Sequence, residues 1–162
     1  MIKALKIGFI IIFVLVFQVT IFPAYLIDPF QPNLMLVFIV WLGLRDPMPG
    51  GWCVAFLAGL TQDCFSGIYL GLHGFNYLFI YLLLIMIADF LYADSRHLLI
   101  LAVFLATIVS GILQLGLLLL FSAATGLYAT LLPGLIPQAL INALAASILT
   151  LFSPHMPEEE SR

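Results

Sequence analysis

The sequence predicts an all-α integral membrane protein, a bundle of six transmembrane helices. Hydrophobic residues make up 64% of its 162 positions, charged residues only 8%, and the mean hydropathy is +1.23. This composition excludes an ordinary soluble domain. Spans of roughly 20 residues with short connections leave room for five or six helices. The net charge of −3 argues for no nucleic-acid partner. We therefore expect one multi-pass transmembrane domain over residues 1–152.

The first half of the chain contains three predicted spans. Residues 5–22 form an apolar run with no A-x-A cleavage site after it, so we expect this span to be retained and to end at Pro23. The second span, 32–44, begins with a proline, which suits a first helical position. It is short for a full crossing, so we expect it to tilt or to reach less than the full depth. The charged, Pro- and Gly-containing segment 45–50 then precedes the third span, 51–65.

The second half of the chain contains the spans 75–92, 97–121 and 133–152. Lys and Arg favour the cytoplasmic side of a membrane. If the N-terminus is cytoplasmic, six spans place all five basic residues on that side, namely Lys3, Lys6, Arg45, Arg96 and Arg162. We therefore expect both termini to be cytoplasmic and residues 153–162 to form a disordered acidic tail.

Polar side chains within the predicted spans lie at their centres or toward their extracytoplasmic ends. We interpret them, together with the outer loop after the third span, as one polar cluster or cavity facing the extracytoplasmic side. The alternative is that each amide only bonds a neighbouring helix. The candidate cluster comprises Gln18, Gln62, Asp63, Ser66, Gly67, Gly71, His73, Asn76, Gln114, Gln138 and Asn142.

Asp63 is a carboxylate at the end of an apolar span. Such a charge costs about 2.5 to 3.5 kcal/mol at the bilayer centre and less near the interface. Its carboxylate could accept backbone N–H bonds from the turn at residues 65–67, or it could serve a partner or ligand. In the first case we expect Asp63→Asn to retain most activity. His73, in the same loop, could pair with Asp63.

Small residues mark candidate helix-packing faces, because they let another helix approach closely. On the third span Gly51, Ala55 and Gly59 fall four residues apart and lead to Asp63. Similar faces on the last two spans are either internal to the bundle or receive a partner's membrane helix. They are Thr107, Ser110, Gly111 and Gln114 on the fifth span, and Ala139, Asn142, Ala143 and Ala146 on the sixth.

Catalytic and metal-binding patterns are missing from the sequence. No second histidine or thiolate stands at ligand spacing from His73. Ser66 has no nearby base except His73, which argues against a nucleophilic serine. We therefore predict a non-enzymatic protein with no catalytic residue, no metal site and no cofactor.

Two motifs connect the sequence to a known family. Gln31-Pro32-Asn33-Leu34 opens the second span, and Gly59-Leu60-x-Gln62-Asp63-x-x-Ser66-Gly67-x-x-Leu70-Gly71-x-His73 ends the third and continues into the outer loop. In these motifs, in size and in span number, the chain resembles the bacterial rod shape-determining MreD family. The resemblance implies a multi-pass protein of the bacterial cytoplasmic (inner) membrane that acts in lateral peptidoglycan synthesis. It also implies the partners MreC and, through it, the MreB filament, the glycosyltransferase RodA and a penicillin-binding transpeptidase.

Two functional hypotheses follow from this resemblance. In the first, the bundle is a scaffold of the rod-elongation complex that binds the membrane helix of MreC among membrane lipids. In the second, it is the solute-binding membrane subunit of an energy-coupling-factor type transporter. MreD-like proteins are similar to those subunits in having six helices and an outward pocket. The outward amides with Asp63 favour the second hypothesis, and the lack of catalytic parts fits the first.

Overall fold

The computed structural model describes residues 2–27, 30–45, 47–66, 69–88, 96–120 and 127–152. These residues form six helices and no β-strand, which confirms the predicted all-helical architecture for this part of the chain. The tail from residue 153 lies outside it. Helix α1 is α-helical over Ile2–Val16, π-helical over Phe17–Ile21 and α-helical again over Phe22–Tyr25. The others are α2 (Leu34–Arg45), α3 (Gly51–Ser66), α4 (Leu72–Ala88), α5 (Arg96–Leu120) and α6 (Leu127–Phe152).

Helix α2 is the centre of the bundle. Nine of its twelve residues are buried, and it contacts each of the other five helices. Its length of about 18 Å is well short of a hydrocarbon core of about 30 Å. A short helix is tolerated here because the surrounding helices, rather than lipid, cover its sides and its ends.

The outer surface of the bundle is apolar. Large side chains such as Leu140, Leu144 and Ile148 on α6 are about half exposed. Within the described ranges, three stretches are long and apolar enough to cross a membrane, namely Ile7–Tyr25, His97–Leu120 and Leu132–Leu151. Leu34–Arg45 and Leu72–Ala88 are shorter apolar helices. An exposed apolar surface of this extent is expected where lipid replaces water, so the chain is a membrane protein.

Proline positions account for the main differences from the predicted spans. Helix α1 does not end at Pro23 but continues to Tyr25 through the π-helical segment. Pro23 lacks the N–H that would bond the Val19 carbonyl, and a π-helical segment adjusts the backbone around such a missing bond. Helix α6 likewise begins at Leu127, before the expected residue 133, with two prolines inside it. Membrane helices tolerate these residues because neighbouring helices compensate for the lost bonds.

Helices α3 and α4 form a closely packed hairpin. Ala55 on α3 is fully buried, and a Cβ built at Gly51 would overlap the Tyr81 hydroxyl of α4. A Cβ at Gly59 would lie 2.5 Å from both the Cα atom of Gly74 and the His73 carbonyl oxygen. The structure therefore places the small-residue face of α3 against the backbone of α4.

Candidate functional site

The carboxylate of Asp63 joins the end of α3 to the start of α4. Its Oδ2 accepts the backbone N–H groups of Gly71 at 2.8 Å and Gly74 at 3.1 Å, and its Oδ1 accepts that of His73 at 3.0 Å. The first N–H groups of a helix have no partner within the helix. Asp63 supplies those partners for α4 from another helix, and α4 accordingly begins at Leu72, three residues before the predicted start.

The surroundings of Asp63 are rich in hydrogen-bond donors. It is the only acidic side chain in the part of the chain that the structure describes, and its side chain is fully buried. The positive end of the α4 dipole and the charge-assisted hydrogen bonds offset the lost hydration. The ring Nδ1 of His73 lies 2.7 Å from Oδ1, so the anticipated pairing is present. With a carboxylate as acceptor, Nδ1 carries the proton and Nε2 remains for another contact.

The loop between α3 and α4 contains three more of the predicted site residues. Gly71 has φ = +98°, a left-handed conformation that favours glycine, and this turn directs its N–H toward Asp63. Ser66 is the last residue of α3, and Gly67 lies outside the described residues. The carboxylate contacts therefore reach across the loop to residues 71–74, beyond the adjacent turn expected from the sequence.

Side-chain amides cap the start of the central helix α2. Asn33 Oδ1 accepts the N–H of Leu36 at 3.1 Å, and Gln18 Oε1 accepts that of Met35 at 3.2 Å. Asn142 Oδ1, from α6, accepts the N–H of Asn33 at 2.7 Å. An asparagine is a favoured N-cap residue, and here two further helices complete the cap. The start of α2 is thereby fixed at one depth in the bundle.

Tyr77 on α4 links this cap to α3. Its hydroxyl lies 2.9 Å from Asn33 Oδ1 and 2.6 Å from Gln62 Oε1, and the side chain is fully buried. A hydroxyl has one proton, so it donates to only one of these oxygens at a time. The other amide oxygen is then left for a different donor.

Tyr77→Phe should lower the free energy of unfolding by about 1 to 2 kcal/mol, because two part-buried amides lose a shared hydrogen-bond partner. Thermal unfolding of the purified chain in detergent measures this loss. Tyr69→Phe is the matched control, since Tyr69 is about half exposed. Equal midpoints for both variants would contradict the proposed link.

Two more buried asparagine contacts join α4 and α6 to α5. The Nδ2 of Asn76 donates to Ser110 Oγ at 2.6 Å. The Nδ2 of Asn142 donates to Thr107 Oγ1 at 3.1 Å. The polar face expected on the fifth span therefore points into the bundle.

A cavity of about 140 Å³ lies where these contacts meet. Each of the six helices contributes at least one lining residue, and so does the segment that precedes α2. All five glutamines of the sequence line it, as do two of its three asparagines, and the third bonds the lining residue Ser110. The sequence-predicted residues that line the cavity are Gln18, Gln62, His73, Gln114, Gln138 and Asn142. Asp63 and Asn76 lie behind it, bonded to lining residues.

Two amide residues of the lining extend the predicted cluster. Asn33 and Gln31 enter the sequence interpretation only as part of the motif that opens the second span, yet both line the cavity. The available signal was an asparagine at a predicted helix start, which is a typical N-cap. Its position inside the bundle could have followed only from recognising that the short second span is surrounded by the others.

Comparison with known protein families gives a match over nearly the whole chain. The model of the family described as rod shape-determining protein MreD matches residues 1–154. No curated protein and no solved structure matches the chain. The likeness to the membrane subunits of energy-coupling-factor transporters therefore gains no support from solved structures.

Proposed function

The chain belongs to the MreD family of rod shape-determining proteins, and from this we propose that it is a non-enzymatic membrane scaffold of the rod-elongation complex. In this role it binds MreC and, through MreC, the MreB filament, RodA and a penicillin-binding transpeptidase. It thereby supports lateral peptidoglycan synthesis and rod shape. The family match over nearly the whole chain is the observation that carries the proposal.

The hydrogen bonds that the polar residues make between helices support a scaffold role. Asp63, the acid in the described part of the chain, has both oxygens engaged by backbone N–H groups and His73. Such a carboxylate positions helices instead of accepting a substrate proton. Among the described residues, no three His, Cys, Asp or Glu side chains are grouped so as to hold a metal ion.

The proposed membrane placement is that of a six-span protein of the inner membrane with both termini cytoplasmic. In the described part of the chain, three helices have the length of complete spans. In this proposal the shorter helices cross the membrane inside the bundle. The distribution of Lys and Arg along the sequence supports this orientation.

The docking surface for the membrane helix of MreC is proposed to be a groove between α4 and α5. The small-residue faces expected from the sequence are occupied, since Ala55, Ala139 and Ala146 are fully buried inside the bundle. The groove has a volume of about 500 Å³ and an apolar lining. This lining includes two small residues, Ala102 and Ala106. Small residues allow the close approach by which membrane helices associate.

Photo-crosslinking in native membranes of a rod-shaped bacterium tests both the binding of MreC and its proposed location in the groove. A photoreactive residue replaces Leu101 or Leu105, which line the groove and are about half exposed. The tagged chain is then purified and its crosslinked partner is identified. We expect MreC to be crosslinked from both groove positions, and wild-type chain to restore rod shape to depleted cells.

Matched controls lie on α6, where Leu144 and Ile148 have similar exposure outside the groove. Crosslinking of MreC from α6 alone would show that the docking surface is on α6 and not in the groove. Recovery of ATPase subunits with a coupling protein, and no wall-synthesis protein, would overturn the scaffold and favour the transporter hypothesis.

A further inference from the structure

We propose that the cavity binds an uncharged, hydroxyl-rich group of about the size of one sugar ring. The carrying observation is the concentration of all the glutamines of the sequence, with Asn33 and Asn142, around a single cavity in an apolar bundle. Contacts between helices need only a few such residues, and each contributes little. This inference rests on the cavity geometry and is independent of the proposed binding of MreC.

Several lining groups keep unused hydrogen-bonding capacity. The side chains of Gln114 and Gln138 make no hydrogen bond within the described part of the chain, although both line the cavity. The hydroxyl of Tyr77 serves two amide oxygens with one proton. Amides offer donors and acceptors together, which is the combination that a hydroxyl group uses.

The charge of the lining restricts the ligand class. Among the residues that the structure describes, no Lys, Arg, Asp or Glu lines the cavity. The nearby Asp63 is saturated by N–H donors, and the Nδ1 of His73 is directed to it. Phosphate groups are preferentially held by Arg, Lys or helix N-termini, and here the starts of both α2 and α4 are already capped by side chains. The site is therefore built for a neutral ligand.

The size of the cavity fits one small ring. A volume of about 140 Å³ corresponds to roughly four or five water molecules at their share of liquid volume. A ring bearing several hydroxyl groups would replace these waters and satisfy the free amides. Such a group can arrive as the headgroup of a glycolipid in the membrane or as a free sugar from the aqueous phase.

Native mass spectrometry of the full chain in nanodiscs distinguishes the two sources. One sample contains phosphatidylethanolamine, phosphatidylglycerol and glucosyl diacylglycerol, and a second replaces the glucosyl lipid by plain diacylglycerol. In a third, glucose is added to discs without the glycolipid, and the unfolding temperature is recorded. We expect either one retained glucosyl lipid per chain or a rise in unfolding temperature with glucose.

The double variant Gln114→Leu and Gln138→Leu tests whether the cavity is responsible. It should weaken binding at least tenfold without lowering the unfolding temperature of the unliganded chain, because these amides bond no other group among the described residues. Thr150→Val on α6 is the control, since its hydroxyl bonds the Ser147 carbonyl of its own helix. It should bind as the wild type does.

Three results would overturn the proposal. If neither glucose nor the glucosyl lipid exceeds its control, the cavity holds water alone. If binding persists in the double variant, the ligand binds elsewhere on the surface. If phosphatidylglycerol is retained as strongly as the glucosyl lipid, a site for neutral ligands is excluded. None of these results affects crosslinking to MreC, so the scaffold proposal is tested separately.

Discussion

Asp63→Asn is expected to lower the free energy of unfolding by about 2 to 4 kcal/mol. Both carboxylate oxygens accept hydrogen bonds, from the N–H groups of Gly71, His73 and Gly74 and from the His73 ring. An asparagine has one acceptor oxygen, so its NH₂ group must face at least one of these donors. Each unsatisfied buried N–H costs about 1 to 3 kcal/mol, and the interaction of the charge with the α4 dipole is also lost.

Thermal unfolding in detergent, followed by size-exclusion chromatography of the heated sample, measures the effect of Asp63→Asn. Thr61→Val on the same helix is the control, because the Thr61 hydroxyl bonds only the Ala58 carbonyl of α3. The contacts revise the expectation from sequence that asparagine would substitute well. An Asn variant as stable as the wild type would show that the cap of α4 does not need the carboxylate.

Gly59→Ala should lower the free energy of unfolding by at least about 3 kcal/mol, an effect comparable to or larger than that of Asp63→Asn. Severe overpacking has costs of this size. The added methyl group would lie 2.5 Å from Gly74 Cα and from the His73 carbonyl oxygen. Both are backbone atoms, so no side-chain rotation relieves the overlap. The α3–α4 hairpin must open, and the contacts of Asp63 with the start of α4 must lengthen.

The matched control is Gly116→Ala on α5, where a Cβ meets nothing within 4 Å. Alanine is favoured over glycine within a helix by about 1 kcal/mol, so this variant should be neutral or slightly stabilised. The two variants are compared by expression level in membranes and by unfolding temperature. Equal stability of both would mean that α3 and α4 are less closely packed than the structure indicates.

The sequence predicts the number and type of the helices well, because hydropathy and proline patterns are local properties. It also identifies six of the thirteen described residues that line the cavity, since an amide in an apolar span needs a polar partner wherever it lies. Gln18, Gln114 and Gln138 come from distant parts of the chain, yet each has this local signal and each lines the cavity. Their functional role stays a proposal.

What the sequence does not predict depends on contacts between distant residues. The start of α4 depends on a carboxylate eight to eleven positions earlier. The central position of α2 depends on five surrounding helices, and its short apolar run alone indicates only a partial span. The extension of α6 before Pro133 arises because tertiary packing overrides the helix-ending tendency of proline.

The cap on α2 can be completed only after the last helix has been synthesised. The N–H of Asn33 finds its acceptor on Asn142, 109 positions later, so α2 enters the membrane long before its start can be completed. A chain truncated before α6 lacks this acceptor, and an unsatisfied buried N–H costs about 1 to 3 kcal/mol. Completion of the last helix thus stabilises the start of the central helix.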